Sequence, residues 1–184
     1  MESRSRRTKK QLRLNIKYIL ILVVSLILII VVSVSASNGG YKSLIKNYCK
    51  SIVSMDYEKY KSLFPPFYVD NGLEDLILFS YDTGDAYMQH LYDDYVEQYG
   101  EKVKLSSKIT TRTKLSKDEL TTYSQEATAV CTDGTEINLK KGYNLTVSIK
   151  YKGKSNTETK ELSVVVVKYD GNWYIYGGDI FYCN

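Results

Sequence analysis

The sequence predicts an α+β architecture in which a single N-terminal transmembrane helix precedes a domain of helices first and a curved antiparallel sheet second. Three observations carry that expectation. Residues 18–36 are apolar apart from a few serines. Apolar residues then recur at spacings of three and four through residues 41–53 and 87–99, the period of a helix with one buried face. After Gly100 the spacing changes to two, the period of a strand with one buried face.

The apolar run sets the topology. About 19 residues at 1.5 Å rise make roughly 28 Å of helix, close to the ~30 Å hydrocarbon core of a bilayer. The tail before it, residues 1–17, carries Arg4, Arg6, Arg7, Lys9, Lys10, Arg13 and Lys17. Basic residues resist translocation, so this tail is expected in the cytoplasm and the chain beyond residue 36 outside the cell membrane. A cleaved signal peptide would also show a basic start and small residues such as Val34, Ser35 and Ala36. Its apolar core usually runs about 7–15 residues, so length favours an anchor. A lipid-modified N-terminus is not expected, because the first cysteine, Cys49, already lies inside the next periodic segment.

Residues 37–40, Ser-Asn-Gly-Gly, read as a linker, and the domain as residues 41–184. Tyr41, Leu44, Ile45, Tyr48, Cys49, Ile52 and Val53 define the apolar face of a first helix. Asp56 is placed to cap a second, short one that Pro65 and Pro66 must end, since proline donates no helix hydrogen bond. A connection, partly helical around residues 73–78, leads to a third helix over about residues 85–99, with Gly100 in the stopping position. Val103, Leu105, Ser107 and Ile109 alternate as a first strand. Ser116 starts a helix to about Glu126, and residues 131–141 form a polar, turn-rich connection. Tyr143, Leu145, Val147, Ile149 and Tyr151 make a second strand. Residues 161–169 make a third, apolar on both faces at 164–167 and therefore central. Asp170-Gly171 is a two-residue hairpin signal, and residues 173–176 return.

The first helix, the phrase Met55-Asp56-Tyr57-Glu58-Lys59-Tyr60 after it, and the closing Val167-Lys168-Tyr169-Asp170-Gly171-Asn172-Trp173-Tyr174-Ile175 together resemble the nuclear transport factor 2-like superfamily. The likeness is to its membrane-anchored bacterial members, and it covers most of residues 41–181. It implies a cone of sheet and helices, with the tryptophan of the D-G-x-W pattern packed into it. It further implies one of two roles. The first is assembly, as in the bitopic platform components of conjugation and type IV secretion systems, with a protein partner or a homo-oligomer. The second is small-ligand binding or isomerase- and dehydratase-like catalysis within the cone. Tyr48, Tyr87, Tyr95 and Trp173 would then line it, and His90 with Asp94 would supply the polar pair.

Charge and composition narrow the choice. The net charge of +4 is misleading, because seven of the 25 basic residues and one of the 21 acidic residues precede the membrane segment. Beyond residue 36, 18 basic residues face 20 acidic ones, so no electrostatic footprint for nucleic acid is expected. One histidine and three dispersed cysteines offer no metal-ligand spacing, and no cofactor loop is present. His90, Tyr92, Asp93, Asp94 and Tyr95 cluster on the third helix, but adjacent helix residues point in different directions, so they cannot all converge on one pocket, and Asp93 and Asp94 read as a solvated face. The residues thus favour a non-catalytic domain. Outside the cytoplasm one pair among Cys49, Cys131 and Cys183 can oxidise, and Cys131 with Cys183 is the expected pair, because Cys49 falls on an apolar helical face. Eighteen tyrosines are the compositional oddity; stripes and sheet account for many, while Tyr174, Tyr176 and Tyr182 with Phe181 suggest an exposed aromatic end.

Overall fold

The computed structural model describes residues 40–73, 77 and 79–181, all within the unit Gly39–Asn184. The expected transmembrane helix, residues 18–36, lies outside the described residues, as do Tyr182 and Cys183. Among the described residues no helix is long and apolar enough to cross a membrane.

Helix α1, Gly40–Ser54, buries Leu44, Ile45, Tyr48, Cys49 and Ile52, the face that the sequence period marks. Asp56 then caps α2, Tyr57–Lys61, by accepting a 3.0 Å hydrogen bond from the Lys59 amide. Pro65 and Pro66 end that run, and Pro66 starts the single turn α3, Pro66–Tyr68. Thr83 caps α4, Gly84–Tyr99, and Gly100 closes it at φ +83°, a conformation that glycine adopts without a Cβ penalty. The fifth helix, α5, spans Lys117–Val130 and starts in a reciprocal capping box between Ser116 and Glu119.

The strands are β1 Lys104–Lys114, β2 Lys141–Lys152, β3 Thr157–Tyr169 and β4 Asn172–Gly178, antiparallel and in sheet order β1-β2-β3-β4. This is the α+β order that the sequence predicts, with each strand longer than its apolar alternation. Register shifts curve the sheet at two places, leaving Thr110 unpaired in β1 and Tyr176 unpaired in β4. Asp170 and Gly171 take φ of +44° and +80°, as a two-residue hairpin requires.

Two cores share the sheet. Helices α1, α2 and α4 cover one face, where Leu145, Val147, Ile149, Val164, Val166 and Ile175 pack. On the other face, α5 and the segment after it cover only one end, over Val165 and Val167. Residues 164–167 are therefore buried on both sides, as a central strand's should be.

The end of α4 is locked into the β2–β3 turn. The Tyr99 carbonyl accepts from the amides of Ser155 and Asn156 at 2.9 and 3.1 Å, and the Glu101 carbonyl from Lys154 at 3.0 Å. The last helix carbonyl and one just beyond it are thus satisfied by a distant turn. A Cβ on Gly153 would overlap the Tyr99 carbonyl, so only glycine lets the two backbones approach this closely.

Candidate functional site

Four of the six expected lining residues enter packed aromatic clusters. Tyr48 lies 6.0 Å from Tyr60, ring centre to ring centre, and its hydroxyl donates to the Ile180 carbonyl at 3.3 Å. Tyr60 meets Phe64 at 5.1 Å and Tyr87 at 5.8 Å. Tyr95, Tyr99 and Tyr151 stack with centres 5.3–6.4 Å apart. All of these rings except Tyr87 are buried. Burial pushes the Tyr60 phenol well above its ordinary pKa, and the neighbouring Tyr87 hydroxyl adds to the effect. Burial raises Tyr87 as well, so neither phenol is placed to release a proton near neutral pH.

His90 and Asp94 do meet, one helical turn apart, with His90 Nε2 3.6 Å from Asp94 Oδ2. They sit on the outer side of α4, their side chains 51% and 33% exposed, and the His90 ring leans on Tyr81. Water reaches the pair on this outer edge of the helix. Trp173 lies elsewhere again, half-buried at the rim of the sheet. The six residues do not converge on one cavity.

The concave surfaces lie away from them. One groove of about 890 Å³ runs between α5 and the chain that follows it, floored by Leu115, Leu120, Ile137 and Leu139 and edged by Lys117, Thr121 and Gln125. The strap at residues 136–140 is neither helix nor strand and is tied down by two hydroxyls one turn apart. Thr128 Oγ1 accepts from the Ile137 amide and Ser124 Oγ from the Leu139 amide, each at 2.9 Å. A second groove of about 500 Å³ lies between α1 and β1, by Cys49, Val53 and Leu105. A third, of about 320 Å³, lies among Tyr68, Tyr123, Glu126 and Tyr176. Tyr176 is therefore engaged, its hydroxyl donating to the Tyr123 carbonyl at 2.9 Å, and Tyr174 is half-buried in β4 opposite Val167, while Phe181 and Tyr182 fall outside the described side chains.

A site that sequence spacing does not announce sits where α1 begins. Tyr41, Tyr143 and Trp173 come together from α1, β2 and β4, their ring centres 5.0–5.4 Å apart. Arg112 donates to the Tyr41 hydroxyl at 2.7 Å and lies 5.0 Å over the Tyr143 ring, and Lys141 lies 5.7 Å over Trp173. Such ring–cation contacts hold charge at an aromatic surface without removing it from water. Strand register and the seating of α1 on the sheet jointly bring these residues together, so no local motif could have shown the cluster.

Cys131 is buried with its thiol donating to the Ala127 carbonyl at 3.4 Å. Its expected disulfide partner, Cys183, lies outside the described residues. Among the described residues no group of three His, Cys, Asp or Glu is placed to hold a metal ion. No protein-family model, curated protein or solved structure matches the chain.

Proposed function

We propose that this chain is a single-pass membrane protein that presents a non-catalytic, nuclear transport factor 2-like binding or scaffolding domain outside the cell membrane, as one component of an envelope or secretion assembly. The observation that carries the reading is the filled space between helices and sheet. Tyr48, Tyr60, Met88, Tyr95, Tyr99 and Tyr151 occupy it as one packed cluster, where a ligand-binding cone would keep a cavity of several hundred Å³ with polar groups converging on it. The anchor rests on the apolar run 18–36 and the basic tail before it. Two surface features favour a protein partner: the groove beside α5, and Phe79, whose side chain is 90% exposed.

Two measurements test this reading. A tag placed after Asn184 should be lost when intact cells are treated with protease, and a tag cleaved only after lysis would overturn the topology. Native mass spectrometry of the purified chain should show protein alone or protein complexes. A retained small molecule whose binding is lost in Tyr48→Ala or Tyr95→Ala would replace the scaffold with a ligand-binding cone.

A further inference from the structure

The aromatic cluster at the start of α1 is the centre of a charged rim. Arg112 and Lys114 border it from β1, Lys141 from β2 and Lys168 from β3, all four exposed. Lys141 and Lys168 are direct cross-strand partners, and Lys168 is in turn opposite Trp173. Like charges placed directly opposite one another oppose sheet formation, so a surface that keeps them suits an anion. Among the described residues none of the four cations pairs with a carboxylate, and Asp170 at the adjoining hairpin tip is the acidic residue closest along β3. Half-buried tyrosine and tryptophan rings mixed with arginine and lysine are the side chains that favour the headgroup layer of a bilayer. The chain itself supplies that bilayer: between residue 36 and the start of α1 at Gly40 it can extend roughly 14 Å at most.

We propose that this rim docks on the outer surface of the membrane that residues 18–36 cross, with Arg112, Lys114, Lys141 and Lys168 on anionic phospholipid headgroups and Tyr41, Tyr143 and Trp173 at headgroup depth. The proposal rests on the membrane-anchored reading above. Docking by the rim fixes which parts of the domain face outward, and it leaves α4 with His90 and Asp94 free of the lipid contact.

Trp173 is the single tryptophan of the chain, so its fluorescence reports on the rim alone. The full chain is reconstituted into nanodiscs of phosphatidylcholine, with and without phosphatidylglycerol, using lipid brominated on the acyl carbons nearest the headgroup as the quencher. Flotation on a density gradient is measured on the same samples. The expected result is flotation together with loss of Trp173 emission on brominated lipid. The loss should deepen with phosphatidylglycerol, weaken as salt screens the headgroups, and be reversed in the combined variant Arg112→Gln, Lys141→Gln, Lys168→Gln. These three residues are exposed, so the variant keeps its packed core. A chain that floats while its emission is the same on brominated and plain lipid overturns the docking and leaves the anchor standing. Quenching indifferent to phosphatidylglycerol and to the variant also overturns it. A chain that does not float overturns the anchor and the docking together. A concentration-dependent emission shift in detergent, matched by no lipid effect, would give the rim to a second copy of the chain instead.

Discussion

Replacing Tyr151 with alanine tests whether the space under the sheet is packed or held open. Tyr151 is 1% exposed, and its ring lies 5.3 Å from Tyr99 and 5.4 Å from Tyr95. Truncating a buried aromatic costs about 3–5 kcal/mol, because its transfer energy is lost and the walls relax only partly. Each ring pair accounts for about 0.5–1.5 kcal/mol, which places Tyr151→Ala well inside that range. A loss of about 4 kcal/mol is a large part of the ~5–15 kcal/mol that holds a domain together. With a urea dependence of about 2 kcal/mol per molar, the unfolding midpoint should fall by about 2 M. The assay is urea titration of the full chain in mild detergent, followed by Trp173 emission. Tyr151→Phe keeps the rings in contact and should shift the midpoint far less. A shift equivalent to less than about 1 kcal/mol for Tyr151→Ala would refute the reasoning, because it falls far below the cost of truncating a packed aromatic. The tyrosines would then be lining a space and not filling it, and the ligand-binding reading would return.

Other perturbations test the frame around that core. Gly84→Ala would drive a Cβ into the Tyr57 ring, and overpacking of this kind should cost about 1–3 kcal/mol, read as a lower melting temperature. Gly171→Ala meets no neighbouring atom but keeps a φ of +80°, so its cost should be purely conformational, about 1–2 kcal/mol. The carboxylate of Glu119 accepts from the Ser116 hydroxyl and amide, which lowers its pKa below the ordinary 4.5. The stabilisation is therefore complete above pH 4.5 and is lost as pH falls through the depressed value. Glu119→Gln should flatten the acid limb of a stability-against-pH curve over that window, and an unchanged limb would count against the capping box. Burial pushes the Cys49 thiol up to about 11, so at pH 8 iodoacetamide should leave it unmodified in the folded chain and label it in urea.

Local chemistry made most of the fold legible. Asp56, Ser116 and Asp170-Gly171 act through neighbours no more than three residues away, and the structure uses each as the sequence implies. Residues 164–167 reveal a doubly covered strand because every side chain in the run is apolar. Residues 136–140 read as a polar connection because Ile137 and Leu139 stand among Glu136, Asn138 and Lys140. Their burial depends on Ser124 and Thr128, whose hydroxyls face the strap only once α5 is seated, and so the second core was hidden. The site followed the same division. The i,i+4 spacing of His90 and Asp94 foretold their meeting. It could not foretell that this edge of α4 looks outward, nor that strand register and the packing of α1 would gather Tyr41, Tyr143 and Trp173 at the rim.

The two loops on either side of β2 are unequal as places to alter the protein. Turn 153–156 contains glycine, serine and asparagine between two long strands, and composition alone would choose it for an epitope or a fluorescent insertion. Its amides, however, hold the chain at the end of α4 that Gly100 closes, through the Tyr99 and Glu101 carbonyls. An insertion there would take away the partners of the Tyr99 and Glu101 carbonyls. The turn around Gly134, exposed from Thr132 to Glu136 and with open space where a side chain would begin, is where such a graft would be accepted without disturbing the helix above it.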